Sequence, residues 1–197
     1  MSPPEPRAQQ GHPKLPKLAL WAPTATAMGV FSPEECGRIR DMGGAEQVGG
    51  IADEGRAGYR DSRVRWLRPS ADSEWVFRRA LDVVATENRR SYRAEIAGFT
   101  EPLQIAEYGP GQHYDWHLDF AAGAYSTRKL SFVVQLTDPA TYEGGALEVM
   151  ISREAVAIPR EQGSLTIFPS FLLHRVCAVT TGARHSLVGW IGGPHWR

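Results

Sequence analysis

The 197-residue chain predicts a mainly β fold with flanking helices, closed as a sandwich or barrel of the jelly-roll kind. Three observations predict it. Beyond Asn88, short runs rich in β-branched and aromatic residues follow one another at close spacing. Turn-forming clusters such as Gly109–Gly111 and Pro139–Gly145 separate them. Two segments with helical signals come earlier, placed to pack outside one sheet.

Taken in order, residues 1–17 carry five prolines among polar residues and read as a disordered arm. Residues 18–197 then form one domain, with a β core over about 92–192. "LALWAPTATA", after Lys14 and Lys17, loosely mimics a signal peptide, but its apolar stretch breaks at Pro23. It reads instead as the first strand, with the cytoplasm as default location. "FSPEECGRIRDMGG" is a helix. Ser32 caps it, Pro33 takes the first helical position, Glu35 completes a capping box, and Gly43-Gly44 ends it. A second helix runs from Glu74 to about Asn88, with Phe77, Leu81 and Val84 on one face. The strands are then "YRAEIAG", "LQIAEY", "QHYDWHLD", "KLSFVVQL", "ALEVMI", "AVAI", "SLTIFP", "HRVCAV" and "RHSLVGWI".

Charge narrows the partners. The 22 basic and 22 acidic residues cancel, which argues against nucleic acid or a membrane surface held by bulk electrostatics. Basic residues still cluster in Arg56–Arg68 and Arg78–Arg93. No apolar run approaches the roughly 18 residues needed to span a bilayer. Cys36 and Cys177 make no disulfide framework and suggest a reducing compartment.

"HYDWHLD" carries the chemistry. On a strand, residues two apart face the same way, so His117 and Asp119 project together. They form two corners of a metal site. Among the other histidines, His12 lies in the arm and His195 near the C-terminus. His113 is too far along the strand, and His185 alternates with inward residues. His174 remains, and two histidines with one carboxylate make the facial triad that leaves three iron positions open. A His-x-Asp pair alone is more often structural than metal-binding, and a lone histidine more often half-buried and satisfied. Arg184 shifts that balance. Arg184, Ser186, Val188 and Trp190 share one strand face, and a guanidinium fork beside a hydroxyl suits a dicarboxylate whose other end chelates a metal.

These stretches resemble a known family. "YGPGQHYDWHLD", "RKLSFVVQLTDPATYEGGALEV", "GSLTIFPSFLLHRVCAV" and "GARHSLVGWI" are similar to the iron(II)/2-oxoglutarate dioxygenases, in the prolyl 4-hydroxylase-like branch that includes PKHD-type hydroxylases. "FSPEEC" and "YRDSRVRWL" fit more loosely, so the likeness spans about residues 28–192. The resemblance implies a double-stranded β-helix, the cupin-like form of the jelly roll. It implies His117, Asp119 and His174 as ligands of Fe(2+), with 2-oxoglutarate and O2 as cosubstrates and ascorbate as a reductant. Arg184 would bind the distal carboxylate of 2-oxoglutarate. Tyr108, Gln135, Ser186 and Trp190 would line its pocket. Asp119 disfavours a halogenase, because halogenating relatives lack that carboxylate.

The implied reaction is hydroxylation of an unactivated C–H bond, with release of succinate and CO2. The expected substrate is an amino acid or a peptidyl, prolyl-like group, taken by a monomer or homodimer. Arg56–Arg68 and Phe120–Thr127 would form the mouth, where Tyr59, Arg60, Arg63 and Tyr125 could hold a substrate carboxylate. Two rivals stay open: desaturation or cyclisation at the same site, and a non-catalytic cupin-like metal-binding module.

Overall fold

The computed structural model describes residues 23–45, 47–49 and 58–195. The arm predicted over 1–17 lies outside the described residues. β1 (Ala25–Ala27) begins inside the stretch expected to be the first strand, and α1 (Pro33–Asp41) follows. The predicted capping box is present. Ser32 Oγ accepts from Glu35 N at 3.2 Å, and Glu35 Oε2 accepts from Ser32 N at 2.9 Å. α2 (Glu74–Glu87) buries Val76, Phe77, Ala80 and Val84 and continues into a π turn over Asn88–Tyr92.

Among the described residues there are fourteen strands in all. They are β2 (Gln47–Gly49), β3 (Arg60–Leu67), β4 (Gly98–Phe99), β5 (Leu103–Tyr108), β6 (His113–His117), β7 (Arg128–Gln135), β8 (Glu143–Gly144), β9 (Leu147–Ile151), β10 (Glu154–Ala157), β11 (Leu165–Pro169), β12 (His174–Val176), β13 (Val179–Thr181) and β14 (Arg184–Gly192), besides β1. The main sheet runs β1-β11-β7-β14-β5-β3-β6-β12-β9-β10, with β2 on β3 and β4 on β14. β3 makes the bend: residues 63–67 pair with β5, while Arg60 and Asp61 pair with β6.

The curled sheet has two apolar clusters. On its outer face, Leu103, Ile105, Leu130, Phe132, Val134, Leu187 and Ile191 pack with α1 and α2 residues such as Ile39 and Phe77. On its inner face, Val64, Tyr108, Val133, Val149, Phe168 and Val176 pack together. This curled antiparallel architecture is the expected double-stranded β-helix with helices on one side.

Three local expectations change. "YRAEIAG" is not a strand beyond Gly98, because Asn88 captures both Ala94 N and Ala94 O at 2.9 Å and Arg93 turns left-handed with φ 53°. Most of Arg56–Arg68, expected as a mouth segment, is strand β3 inside the sheet. "HRVCAV" is two strands, since β13 leaves the main sheet to pair with β8. Gly144, with φ +70°, permits that crossing: a Cβ there would stand 2.3 Å from Ala178 O.

Candidate active site

His117 closes β6, and the chain bends so that Asp119 follows just past the strand. Both are 8% exposed, whereas Leu118 between them is 48% exposed, so the alternation persists one step beyond the pairing. Two backbone bonds hold the bend, from Asp119 N and Phe120 N to Ser170 O at 3.1 and 3.0 Å. His174 opens β12 directly opposite His117. The ligand atoms of His117, Asp119 and His174 all lie within 4.8 Å of one another.

Each imidazole is oriented by its own chain. His117 Nδ1 lies 2.8 Å from Asp115 O, and His174 Nδ1 lies 2.8 Å from Leu172 O. A carbonyl only accepts, so Nδ1 carries a hydrogen, and each Nε2 is the ring nitrogen left to face a metal. Those nitrogens face the carboxylate, His117 Nε2 at 3.9 Å from Asp119 Oδ1 and His174 Nε2 at 3.5 Å from Oδ2. Burial, with the neighbouring His174, pushes His117 down to about 3. Burial alone would raise Asp119, but both histidines and the Ser131 hydroxyl outweigh it and hold the carboxyl below its ordinary value. The two Nε2 atoms and one carboxylate form a compact, buried donor set. That set fits a divalent transition metal.

Arg184 lies inside as strand parity predicted, 1% exposed, while His185 points outward to Glu107 at 3.3 Å. Its Nη2 donates to Gln135 Oε1 at 3.1 Å and its Nη1 to Ser186 Oγ at 3.4 Å. Its guanidinium stands 5.7 Å from the Tyr108 ring. Burial lowers its pKa, opposed by Tyr108 and Tyr142, yet a guanidinium stays charged. Among the described residues, Arg184 Nε is buried without a hydrogen-bond partner. A buried cation with an unused donor fits an incoming carboxylate. The backbone at Gly145 makes room for it, since a Cβ there would sit 3.1 Å from Arg184 Cδ.

Trp190 differs from its expected place. It lies six residues along β14 from Arg184, about 20 Å at the rise of a strand. It stacks under the Arg128 guanidinium at 4.0 Å, opposite Ser131 in register. It therefore walls the Asp119 side, with its indole Nε1 buried and, among the described residues, without a partner.

The expected mouth residues divide. Arg60 faces inward, 4.5 Å over the Tyr114 ring, and donates to Ser62 Oγ and Gln104 Oε1 at 2.8 Å. Tyr59 packs edge-on to Tyr114 and donates to Trp116 O at 2.8 Å. Arg63 does not join them: it is exposed and lies opposite Glu107, on the other strand face from Ser62 and Val64. Tyr125 is 42% exposed and stacks on Arg128 at 4.3 Å, next to the Asp119 bend.

Several residues at the site lie outside the set that the sequence predicts. Tyr114 stacks on His117, with ring centroids 3.5 Å apart. Simple alternation would put His113 there, but β6 carries one extra residue against β12, where Val176 faces Tyr114 and His174 faces His117. This bulge reverses the parity. Ser131 was within reach of the sequence, since Ser131, Val133 and Gln135 alternate on one face of β7. Ser170 and Arg128 carried no local signal.

Comparison with known proteins gives the class. Residues 103–192 match the model of the 2OG-Fe(II) oxygenase superfamily. Relatives include a PKHD-type hydroxylase of a Synechococcus species, 47% identical over 78 residues, covering 40% of this chain and 36% of that protein. Another, from Synechococcus elongatus, is 31% identical over 142 residues, 68% of this chain and 64% of that protein. The chain thus spans between about a third and two thirds of these relatives' length. A prolyl-4-hydroxylase of Pseudomonas putida shares the fold, with TM-score 0.68 and 22% identity over 86% of this chain and 92% of that one. So does a viral collagen prolyl hydroxylase from Paramecium bursaria Chlorella virus-1, with TM-score 0.66 and 21% identity over 88% and 97%. Over residues 103–192 the chain is thus similar to the 2OG-Fe(II) oxygenase superfamily. Within it, the sequence similarity is to the PKHD branch.

Proposed function

We propose that this chain is an iron(II)- and 2-oxoglutarate-dependent hydroxylase acting on an unactivated C–H bond of an amino-acid or peptidyl, prolyl-like substrate, with release of succinate and CO2. One observation carries the reading: among the described residues, a buried His-Asp-His donor set and a buried arginine with an unused donor belong to the same curled sheet. Bound iron and 2-oxoglutarate would supply the oxidising chemistry, which no side chain here can provide. The protein's own work is placement. His117, Asp119 and His174 would hold the metal through Nε2, a carboxylate oxygen and Nε2. Arg184 would hold the distal carboxylate of 2-oxoglutarate, with Gln135 and Ser186 keeping its fork in plane and Tyr108 beside it.

Substrate would enter on the side of Asp119 and His117 away from Arg184. Arg60, Tyr114, Tyr125 and Trp190 surround that side, mixing flat apolar faces with cationic donors. A small ring on a peptide suits such walls, because aromatic faces bury it while the guanidinium of Arg60 meets backbone carbonyls or a carboxylate. The soluble assay is a succinate-release screen with iron(II), 2-oxoglutarate and ascorbate across amino acids and prolyl peptides. Hydroxylation adds one oxygen to the product mass, whereas desaturation or ring closure removes two hydrogens. Metal binding with no succinate from any substrate, or without substrate, would instead favour a non-catalytic module.

A further inference from the structure

Asp119 is gripped far more tightly than either histidine. Its Oδ2 accepts from Ser131 Oγ at 2.6 Å, and Ser131 Oγ lies 3.0 Å from Ser170 Oγ. Both serines are fully buried. A hydroxyl has one hydrogen. Because Ser131 gives its hydrogen to the carboxylate, the Ser170 hydroxyl must donate to Ser131. The chain therefore runs Ser170 to Ser131 to Asp119, each bond polarising the next.

Ser170 also holds the same ligand by its backbone, since its carbonyl accepts from Asp119 N and Phe120 N. On the other side, Arg128 Nη1 donates to Asp119 O at 3.0 Å. Arg128 is itself fixed by Glu101, at 2.8 Å from Nε, and lies between the Tyr125 and Trp190 rings.

We infer that Ser131 and Ser170 are positioning residues that fix Asp119 as a one-oxygen metal ligand. Both carboxylate oxygens face a histidine nitrogen, Oδ2 at 3.5 Å from His174 Nε2 and Oδ1 at 3.9 Å from His117 Nε2. Only Oδ2 is tied up by Ser131, which leaves Oδ1 for the metal. A carboxylate free to rotate could chelate through both oxygens and fill a coordination position. The relay prevents that and keeps three positions open for cosubstrate and oxygen. This rests on the reading that His117, Asp119 and His174 bind metal.

The test is titration of the metal-free full chain with Co(II), followed by its visible absorption, alongside thermal melts with and without the metal. Outer-shell partners of metal ligands typically contribute about ten- to hundredfold in affinity. Ser131→Ala should weaken Co(II) binding by about that factor and change the intensity of the visible bands, since geometry changes with denticity. Ser170→Ala, one bond further out, should weaken binding by less, and Ser131→Thr, which keeps the hydroxyl, should restore it. The melting temperature without metal should hold in all three. Unchanged Co(II) affinity and spectrum in a folded Ser131→Ala would overturn the relay. So would a loss of metal-free stability that accounts for the whole effect. Failure of the wild-type chain to bind Co(II) would instead overturn the metal site itself.

Discussion

β7 and β14 each carry two different proteins' worth of residues on their two faces. Toward the helices, Leu130, Phe132 and Val134 alternate with Leu187 and Ile191 in a wholly apolar layer. Toward the interior, the same strands present Ser131, Gln135, Arg184 and Ser186, all buried and all polar. Burying such groups is unfavourable unless each finds a partner. The helix-packed face therefore supplies stability, and the interior face holds groups whose partners include one another and, on the reading proposed above, a metal and a dicarboxylate. A one-residue step along either strand exchanges one role for the other.

Substitutions on the two faces should separate accordingly. The largest effect should come from the interior: His117→Ala and His174→Ala should abolish succinate release at saturating iron. The loss should exceed the roughly ten- to hundredfold typical of outer-shell changes, while circular-dichroism melts stay near wild type. Measurable turnover close to wild type in either variant would break the triad assignment.

Next is Arg184→Ala, which should weaken 2-oxoglutarate binding by about two to three and a half decades. Losing one partner of a buried charged pair costs about 3–5 kcal/mol, at about 1.4 kcal/mol per decade. Arg184→Lys should lose less, because it keeps the charge without the fork. Anaerobic titration of 2-oxoglutarate into the iron-loaded protein, read by its charge-transfer band, measures both. Equal affinity in Arg184→Ala would place the carboxylate elsewhere.

Phe132→Ala tests the opposite face. Phe132 is fully buried against Phe99, at 6.3 Å between rings. Its truncation should remove about 3–5 kcal/mol of stability, seen as a lower denaturant midpoint. Cosubstrate affinity of the remaining folded protein should change little. A selective loss of 2-oxoglutarate affinity would mean that the two faces are coupled. The smallest effect is expected at the rim of the fold: Ser32→Ala should cost about 1 kcal/mol through the α1 cap and leave turnover unchanged.

The sequence by itself determined whatever obeys a local period. The capping box from Ser32 to Glu35 needs four residues, and the inward set of Arg184, Ser186 and Trp190 needs only alternation along β14. His117 and Asp119 share a face for the same reason, and His174 emerged because few histidines were left. Tertiary structure alone decided what depends on distant pairing. The bulge in β6 exists only against β12, and it put Tyr114 rather than His113 beside His117. Asn88 diverted "YRAEIAG" from the sheet through bonds to Ala94. The grip on Asp119 joins residues 12 and 39 positions apart in its two hydroxyl bonds. Local periodicity says which side of a strand a residue takes. Which residue waits across from it is settled only when the strands close, because loop-spanning contacts leave no repeat in the chain.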